Sequence, residues 1–357
     1  MGQKEKPLRV RMLLLPLQLL SYLYGGAVRL RVLFYSLGLL SPGHLPCPVI
    51  SVGNLSAGGT GKTPLVMELA KRLMDKGVPV AVLSRGYKRE KSSGSLVSDG
   101  RNVLLLPGES GDEPFLMGKT LKGVPVLVGK DRFVTGQLAL QRFNVRGLLL
   151  DDGYQYLRLY RDVNILLVDS SVGFGDHHLL PRGILREPLT HLRRANLFIL
   201  TKVRRLDECG PLEAILRKIH PSSPIFHSHY EAVGLVCPNG KREEIRSLEG
   251  MKVLAFSGIS NPEYFSSLLR EKGAEIVREM LFPDHHHYTA EDLASIQEES
   301  QGMHRVVTTE KDMLKFECLK IGHLPLRALR IEMRIWEEEE FYKRLTNIFL
   351  HKGEEDR

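Results

Sequence analysis

Residues 48–70 change from a strand-like to a helix-like pattern of hydrophobic residues, and much of the chain repeats that change. A short β-branched run at 49–52 ends at a glycine-rich turn. Apolar residues then recur at helical spacing, at Leu65, Val66, Leu69 and Leu73. Because strands bury short apolar runs and surface helices bury one stripe, this stretch predicts a strand, a loop and a helix.

The same alternation continues to residue 202. Strands are predicted at 78–83, 124–128, 148–150, 163–168 and 197–200, and helices at 115–121 and from residue 132 onward. The pattern loosens over 221–230, and a second set follows, with strands at 253–256, 276–280 and 306–308 and helices at 262–272, 290–298 and after Trp336. Such alternation is typical of a mainly parallel, doubly wound α/β sheet, here with a second, smaller α/β domain.

The N-terminal segment is apolar but interrupted. Residues 12–28 carry no charge, yet a proline, a glutamine and two glycines break the run, and Arg29 and Arg31 follow it. A membrane-spanning helix needs about 20 apolar residues. We therefore expect residues 9–40 to form a helix that lies in a membrane interface with its arginines toward anionic headgroups. A helix packed in the soluble core is the alternative.

The glycine-rich turn resembles a nucleotide-binding loop. Residues 56–63 read SAGGTGKT and match the P-loop pattern G-x-x-x-x-G-K-[ST], except that a serine replaces the first glycine. The predicted nucleotide site comprises Ser56, Ala57, Gly58, Gly59, Thr60, Gly61, Lys62 and Thr63. In such a loop, Lys62 reaches the β- and γ-phosphates and the Thr63 hydroxyl reaches Mg²⁺.

Two further features fit a P-loop NTPase-type sheet. The apolar strand at 148–150 ends in Asp151 and Asp152, the arrangement that holds Mg²⁺ directly or through water. The strand at 78–83 leads into a basic loop with Arg85, Lys88, Arg89 and Lys91. A loop at the carboxyl end of a parallel strand faces the ligand side of the sheet.

Composition and charge narrow the functional classes. The chain has 357 residues, 43% of them hydrophobic and 26% charged, as expected for a globular protein of two domains. Its net charge of +8 favours an anionic partner without separating nucleic acid, phospholipid and nucleotide. Residues 1–50 hold six basic side chains and one acidic one, beside the most apolar segment. The four cysteines form no C-x-x-C pair, which argues against a zinc site or a disulfide framework and favours the cytoplasm.

Seven motifs in order resemble the tetraacyldisaccharide 4'-kinases. They are SVGNLSAGGTGKTP (51–64), SRGYKR (84–89), GDEP (111–114), LLDDGYQ (149–155), LPRGILREPL (180–189), FPDHH (282–286) and TTEKD (308–312). The resemblance implies an ATP- and Mg²⁺-dependent kinase that phosphorylates the 4' hydroxyl of a lipid disaccharide 1-phosphate at the cytoplasmic face of the bacterial inner membrane. It implies three parts: a membrane-associated segment (1–45), a P-loop core (46–229) and a closing domain (230–357). We expect a monomer that binds an anionic membrane surface and no nucleic acid.

The resemblance also implies residue roles. It places Lys62, Asp112 and His285 in catalysis, with Asp112 orienting and deprotonating the sugar hydroxyl and His285 pairing with it from the second domain. Thr63, Asp151 and Asp152 would surround Mg²⁺, and the positions matched to substrate binding are Arg85, Glu113 and Arg186. From the sequence alone, Asp112 fits a helix cap equally well. The family commonly reads D-D-G-[FY]-Q-H, and Tyr156 replaces that histidine here.

Two other classes share a P-loop. One is a metallochaperone-type GTPase, which usually carries an [NT]-K-x-D loop for guanine; here Thr201 and Lys202 are followed by Arg204 where the aspartate would stand. The other is a membrane-associated partitioning ATPase, which needs no second domain with a histidine loop. ATP turnover with and without the lipid disaccharide would separate the three classes. Neighbouring histidines such as 285–287 rarely chelate one ion, so they predict no zinc site.

Overall fold

The computed structural model describes residues 14–87, 95–316, 319 and 321–355, with side chains up to residue 349. Its helices are α1 (Leu15–Ser36), α2 (Lys62–Asp75), α3 (Pro107–Ser110), α4 (Asp112–Thr120), α5 (Arg132–Arg142), α6 (Gly210–Ile219), α7 (Pro262–Glu271), α8 (Ala290–Glu299), α9 (Glu310–Met313) and α10 (Glu338–Glu355). Its strands are β1 (Val49–Asn54), β2 (Val80–Ser84), β3 (Leu96–Ser98), β4 (Val126–Val128), β5 (Gly147–Asp151), β6 (Val163–Asp169), β7 (Leu197–Thr201), β8 (Ile225–Val236), β9 (Arg242–Glu243), β10 (Lys252–Ser257), β11 (Glu275–Leu281), β12 (Arg305–Thr309) and β13 (Leu326–Ile335).

One mixed sheet joins these strands, in the order β11-β10-β12-β13-β8-β7-β6-β1-β5-β2-β4-β3, with β9 added beside β8. Strand β1 lies between β5 and β6 and pairs in parallel with both. All six residues of β1 are buried, as are all five of β5. A parallel sheet covered on both faces reads as continuous apolar runs, which is why these strands were visible in the sequence. The predicted α/β class and mainly parallel sheet are confirmed.

Helix α2 packs on one face of this sheet with the residues that its periodicity predicted. Leu65, Val66 and Leu69 are fully buried in the largest apolar cluster. Helix α5 covers the opposite face, where Ala139 packs with Leu148. The two helices therefore hold the carboxyl ends of β1, β2 and β5 in fixed positions. A doubly wound sheet binds its ligands at this edge.

Strand β8 links the two halves of the sheet. It pairs in parallel with β7 and antiparallel with β13. The sequence pattern loosens over 221–230, where no element was predicted, and the structure has β8 beginning at Ile225. Strand β13 and helix α6 were also not predicted. The division at residues 229 and 230 falls inside β8, and we keep it as a proposal for where the two domains meet.

Helix α1 places its small and polar residues toward the protein. Ser21 and Gly25 are its buried residues, and the Ser21 hydroxyl donates to the Leu179 carbonyl at 2.9 Å. Large apolar side chains face outward, with Leu19 62% and Leu23 65% exposed. None of the helices in the described part of the chain combines the length and hydrophobicity needed to cross a bilayer.

Candidate active site

The P-loop connects β1 to α2 through two glycines with left-handed backbone. Gly58 has φ of 114° and Gly61, the residue before α2, has φ of 91°. The next residue, Lys62, points its ammonium group at the Asn54 side-chain oxygen, 3.3 Å away. On its outer side, the loop hydrogen-bonds to the segment before Arg186, because the Ala57 amide donates to the Ile184 carbonyl at 2.7 Å. The loop thus places a lysine at the N-terminus of α2, where the free amides of the first helical turn favour a polyphosphate.

Side chains from neighbouring strands, among them Tyr230 of β8 and Met333 of β13, pack against the loop. A Cβ atom added at Gly61 would lie 2.2 Å from the Tyr230 hydroxyl and 2.9 Å from the end of Met333. The Lys202 ammonium also donates to the Gly59 carbonyl at 2.8 Å and pairs with Asp169. These contacts pack closely around Gly61 and hold Gly59 in place.

Gly61→Ala is therefore expected to weaken ATP binding at least 10-fold. Left-handed backbone costs a non-glycine residue about 1 to 3 kcal/mol, and the added methyl group would displace Tyr230. Titration calorimetry with ATP measures the change. Gly210→Ala is the matched control, because nothing lies within 4 Å of its added Cβ. Equal ATP affinity of Gly61→Ala and the unchanged chain would contradict this account of the loop.

The acidic pair lies directly beside the P-loop lysine and threonine. Asp151 ends β5, is 1% exposed, and lies 3.5 Å from the Thr63 hydroxyl through Oδ1 and 3.2 Å from the Ser84 hydroxyl through Oδ2. Asp152 has φ of 50° and accepts two hydrogen bonds from the Arg186 guanidinium, at 3.1 and 2.9 Å. Its Oδ1 is also 3.7 Å from the Lys62 ammonium.

The two carboxyl groups differ in their electrostatics. Burial, then the charges of Glu113 and Asp152, raise the pKa of Asp151 to about 7. Burial opposes ionisation of Asp152 too, but Lys62 and Arg186 outweigh it and lower the pKa of that group. Asp151 is thus a buried carboxyl group whose desolvation the charge of Lys62 offsets only in part.

Oxygen ligands of this kind suit Mg²⁺. A P-loop kinase holds Mg²⁺ through a threonine hydroxyl, a carboxylate and the phosphate oxygens, so few protein ligands are needed. Thr63 and Asp151 provide both protein ligand types, and a cation would add positive charge beside Asp151, which Lys62 alone does not offset. In the described ranges, no cluster of three or more His, Cys, Asp or Glu side chains is arranged to hold a metal alone.

Asp112 and His285 meet although 173 positions separate them. The His285 Nδ1 atom lies 3.3 Å from Asp112 Oδ2, and the Lys315 ammonium lies 3.7 Å from the same oxygen. Asp112 is the first residue of α4, whose N-cap is Gly111, so the alternative of a capping aspartate is wrong. Burial would raise the pKa of Asp112, but the hydrogen bond from His285 and the nearby Lys315 lower it.

A second lysine fixes which proton His285 carries. The Lys311 ammonium lies 3.3 Å from His285 Nε2. Because an ammonium group can only donate, Nε2 must accept, and the ring proton must be on Nδ1, where it donates to Asp112. His285 also has φ of 62°, a left-handed backbone that turns the ring toward α4.

The predicted substrate residues lie around these groups. Arg186 binds Asp152, as described above. Glu113 is 3.9 Å from the Lys311 ammonium. Arg85 follows the last residue of β2 and is exposed. Lys88, Arg89 and Lys91 of the predicted basic loop lie outside the described residues.

Comparison with known proteins identifies the family. The family model described as tetraacyldisaccharide-1-P 4'-kinase matches residues 11–350. The chain belongs to the tetraacyldisaccharide 4'-kinase family. The resemblance found in seven motifs is thereby confirmed.

Similar tetraacyldisaccharide 4'-kinases span nearly the whole chain. The one from Syntrophus aciditrophicus is 43% identical over 340 residues, which cover 91% of this chain and 90% of that protein. The one from Pelobacter propionicus is 45% identical over 301 residues, which cover 83% of this chain and 81% of that protein. A crystal structure of LpxK from Aquifex aeolicus in complex with ATP has a TM-score of 0.75 and 35% identity, covering 95% of this chain and 99% of that one.

Three charged groups of this 4'-kinase site were missed by sequence reasoning. Lys311 lies inside the TTEKD motif but was assigned no role, and Lys202 was considered only for guanine recognition. Lys315 belongs to no motif, so no local signal could have revealed its approach to Asp112.

Proposed function

We propose that this 4'-kinase family member transfers the γ-phosphoryl group of ATP to the 4' hydroxyl of a tetraacyldisaccharide 1-phosphate. The match of the family model to residues 11–350 is the observation that supports this most strongly. It also favours a kinase over the GTPase and partitioning alternatives. The likeness to an LpxK structure in complex with ATP supports ATP as the phosphoryl donor.

The P-loop side of the site would hold the donor. Lys62 would bind the β- and γ-phosphates, and the amides of 58–63 would surround them. Thr63 and Asp151 would hold Mg²⁺, with Asp152 beside them. The bound ion would neutralise charge on the phosphates. Arg186 keeps Asp152 in place and would add positive charge near the transferred group.

Asp112 would orient the acceptor hydroxyl and accept its proton late in the reaction. A carboxylate of lowered pKa is a weak base, which suits phosphoryl transfer because the nucleophile loses its proton after most of the P–O bond has broken. We assign His285 a positioning role: its Nδ1 proton holds Asp112, and Lys311 holds the ring. The two residues belong to the proposed domains 46–229 and 230–357, so movement between these would assemble or separate the pair.

Incubation of the purified chain with ATP, Mg²⁺ and tetraacyldisaccharide 1-phosphate in detergent micelles tests the function. Mass spectrometry should detect a lipid product heavier by one phosphoryl group. ATP hydrolysis that is insensitive to the lipid, with no phosphorylated lipid formed, would contradict the proposal.

We further propose that α1 rests on the cytoplasmic face of an anionic inner membrane. Its apolar side faces outward, and it contacts the segment that carries a site residue: the Tyr24 hydroxyl donates to the Arg186 carbonyl at 2.8 Å. The Ser21 bond to Leu179 joins the same segment. Binding to a membrane would thus hold the site near a lipid acceptor.

Leu19→Gln, Leu23→Gln and Leu30→Gln combined should lower vesicle binding at least 10-fold. Each leucine is at least 51% exposed and would lose about 1.5 kcal/mol of favourable burial in the bilayer. Co-sedimentation with vesicles that contain anionic phospholipid measures the effect. The triple control Leu104→Gln, Val172→Gln and Leu206→Gln removes exposed apolar groups elsewhere. Equal vesicle binding by the two triple variants would place the membrane contact outside α1.

A further inference from the structure

Arg132 is a buried arginine whose hydrogen-bonding capacity is only partly used by the protein. It begins α5 at the ligand edge of the sheet and is only 6% exposed. Its NH1 group donates to the Lys130 carbonyl at 3.3 Å, whereas Nε is buried and has no partner. Because a buried guanidinium with unpaired donors is costly, such a group calls for an anionic ligand.

Tyr156 fixes this guanidinium in place. Its ring centre lies 4.5 Å from Arg132 Cζ, a cation–π contact. Its hydroxyl donates to Asp131 Oδ1 at 2.8 Å and accepts from the Arg132 amide at 3.0 Å. Asp131 in turn caps α5 by accepting from the Phe133 and Val134 amides. The helix terminus is therefore already satisfied, and only the guanidinium is left for an anion.

Arg132 lies just beyond the carboxyl end of β4, which runs parallel to β2, β5 and β1, so it is at the same edge of the sheet as the P-loop and the acidic pair. Burial, then the like charge of Arg85, lower the pKa of Arg132, whereas the negative charges of Asp152 and Asp151 raise it. The charges of Arg85 and of the acidic pair therefore both act on Arg132. A phosphate oxyanion bound by Arg132 would offset the like charge of Arg85 and could be held by both nitrogens of the guanidinium fork.

We propose that Tyr156 positions Arg132 to bind a phosphate oxyanion of the reaction, either the γ-phosphoryl group of ATP or the phosphate that the lipid acceptor already carries. The inference rests on the proposed kinase function. It gives Tyr156, the departure from the family pattern, a role of its own: the ring and hydroxyl together prevent the guanidinium from turning away.

Arg132→Gln, Tyr156→Leu and their double variant test this in the full-length chain. We expect Arg132→Gln to lower kcat/KM about 100-fold and Tyr156→Leu about 10-fold, by analogy with removal of a preorganised donor. The kcat/KM of the double variant should lie within about 3-fold of that of Arg132→Gln, since Tyr156 acts through Arg132. Tyr156→Phe, which keeps the ring, should recover most of the Leu variant's loss.

Titrations with ATP and with tetraacyldisaccharide 1-phosphate distinguish the two sources of phosphate. A rise in Kd and KM confined to ATP, or a fall in kcat alone, assigns the γ-phosphoryl group; a rise confined to the lipid assigns the acceptor phosphate. Tyr342→Leu is the matched control, a buried tyrosine with Arg72 over its ring at 5.4 Å but away from the P-loop. It should lower stability and leave both KM values unchanged.

Losses that multiply in the double variant would overturn the positioning role of Tyr156. Unchanged affinities and unchanged kcat in folded Arg132→Gln would overturn the anion site. If the unchanged chain fails to phosphorylate the lipid, the proposed function fails instead, and the two titrations still decide whether Arg132 binds either phosphate.

Discussion

Lys62→Ala is expected to lower kcat for phosphoryl transfer about 1,000-fold, the scale seen when one positive charge is removed from a phosphoryl-transfer site. The ammonium lies 3.3 Å from the Asn54 side chain and 3.7 Å from Asp152, so it is already aimed at the centre of the loop. Its loss would also remove a charge that favours ionisation of both Asp151 and Asp152. Metal and nucleotide binding should weaken together.

Single-turnover assays with saturating ATP measure the chemical step of Lys62→Ala apart from binding. Lys76→Ala, an exposed lysine just beyond the same helix, is the control and should retain full activity. If the kcat of folded Lys62→Ala stays within about 5-fold of that of the unchanged chain, Lys62 is not a catalytic residue.

Asp112→Asn should lower kcat by about 1,000-fold, and His285→Ala by about 100-fold, because the hydroxyl would lose both its proton acceptor and the group that aligns it. The residues should act as a unit. The His285 ring holds the carboxylate at 3.3 Å, so once Asp112 is neutral there is little left for His285 to position. The double variant should therefore be within about 3-fold of Asp112→Asn.

The neighbouring residue provides a close control for this pair. His286 also pairs with an aspartate, with Nε2 2.9 Å from Asp292 Oδ2, but that aspartate belongs to the capping box of α8. His286→Ala should reduce stability and keep kcat within about 3-fold. Independent, multiplying losses for Asp112→Asn and His285→Ala would instead make His285 a separate contact to nucleotide or substrate.

The charges around Asp112 refine the expected roles. An imidazole could relay a proton, but the Lys311 ammonium occupies the Nε2 side of His285. Lys311→Met should free that nitrogen and weaken the orientation of the ring. In the role that we propose, His285 holds the Asp112 carboxylate in position and need not exchange a proton with solvent.

The sequence by itself determined the parts of this protein that depend on local pattern. The strand, loop and helix around the P-loop, the β5 strand with its acidic end, and the alternation of the mainly parallel sheet all follow from short-range periodicity and glycine placement. The family resemblance rested on seven such local motifs. In each case, the residues that create the signal lie within one or two elements.

Only the tertiary structure decided the contacts between distant elements. Strand β8 has intermediate and exposed positions among buried ones, so its pattern looked irregular until its antiparallel pairing with β13 was seen. Lys315 approaches Asp112, Tyr230 supports Gly61, and Tyr156 stacks on Arg132 through chain segments that no periodicity connects. Periodicity shows which face of an element is buried, whereas the partner that it meets depends on how the whole sheet is assembled.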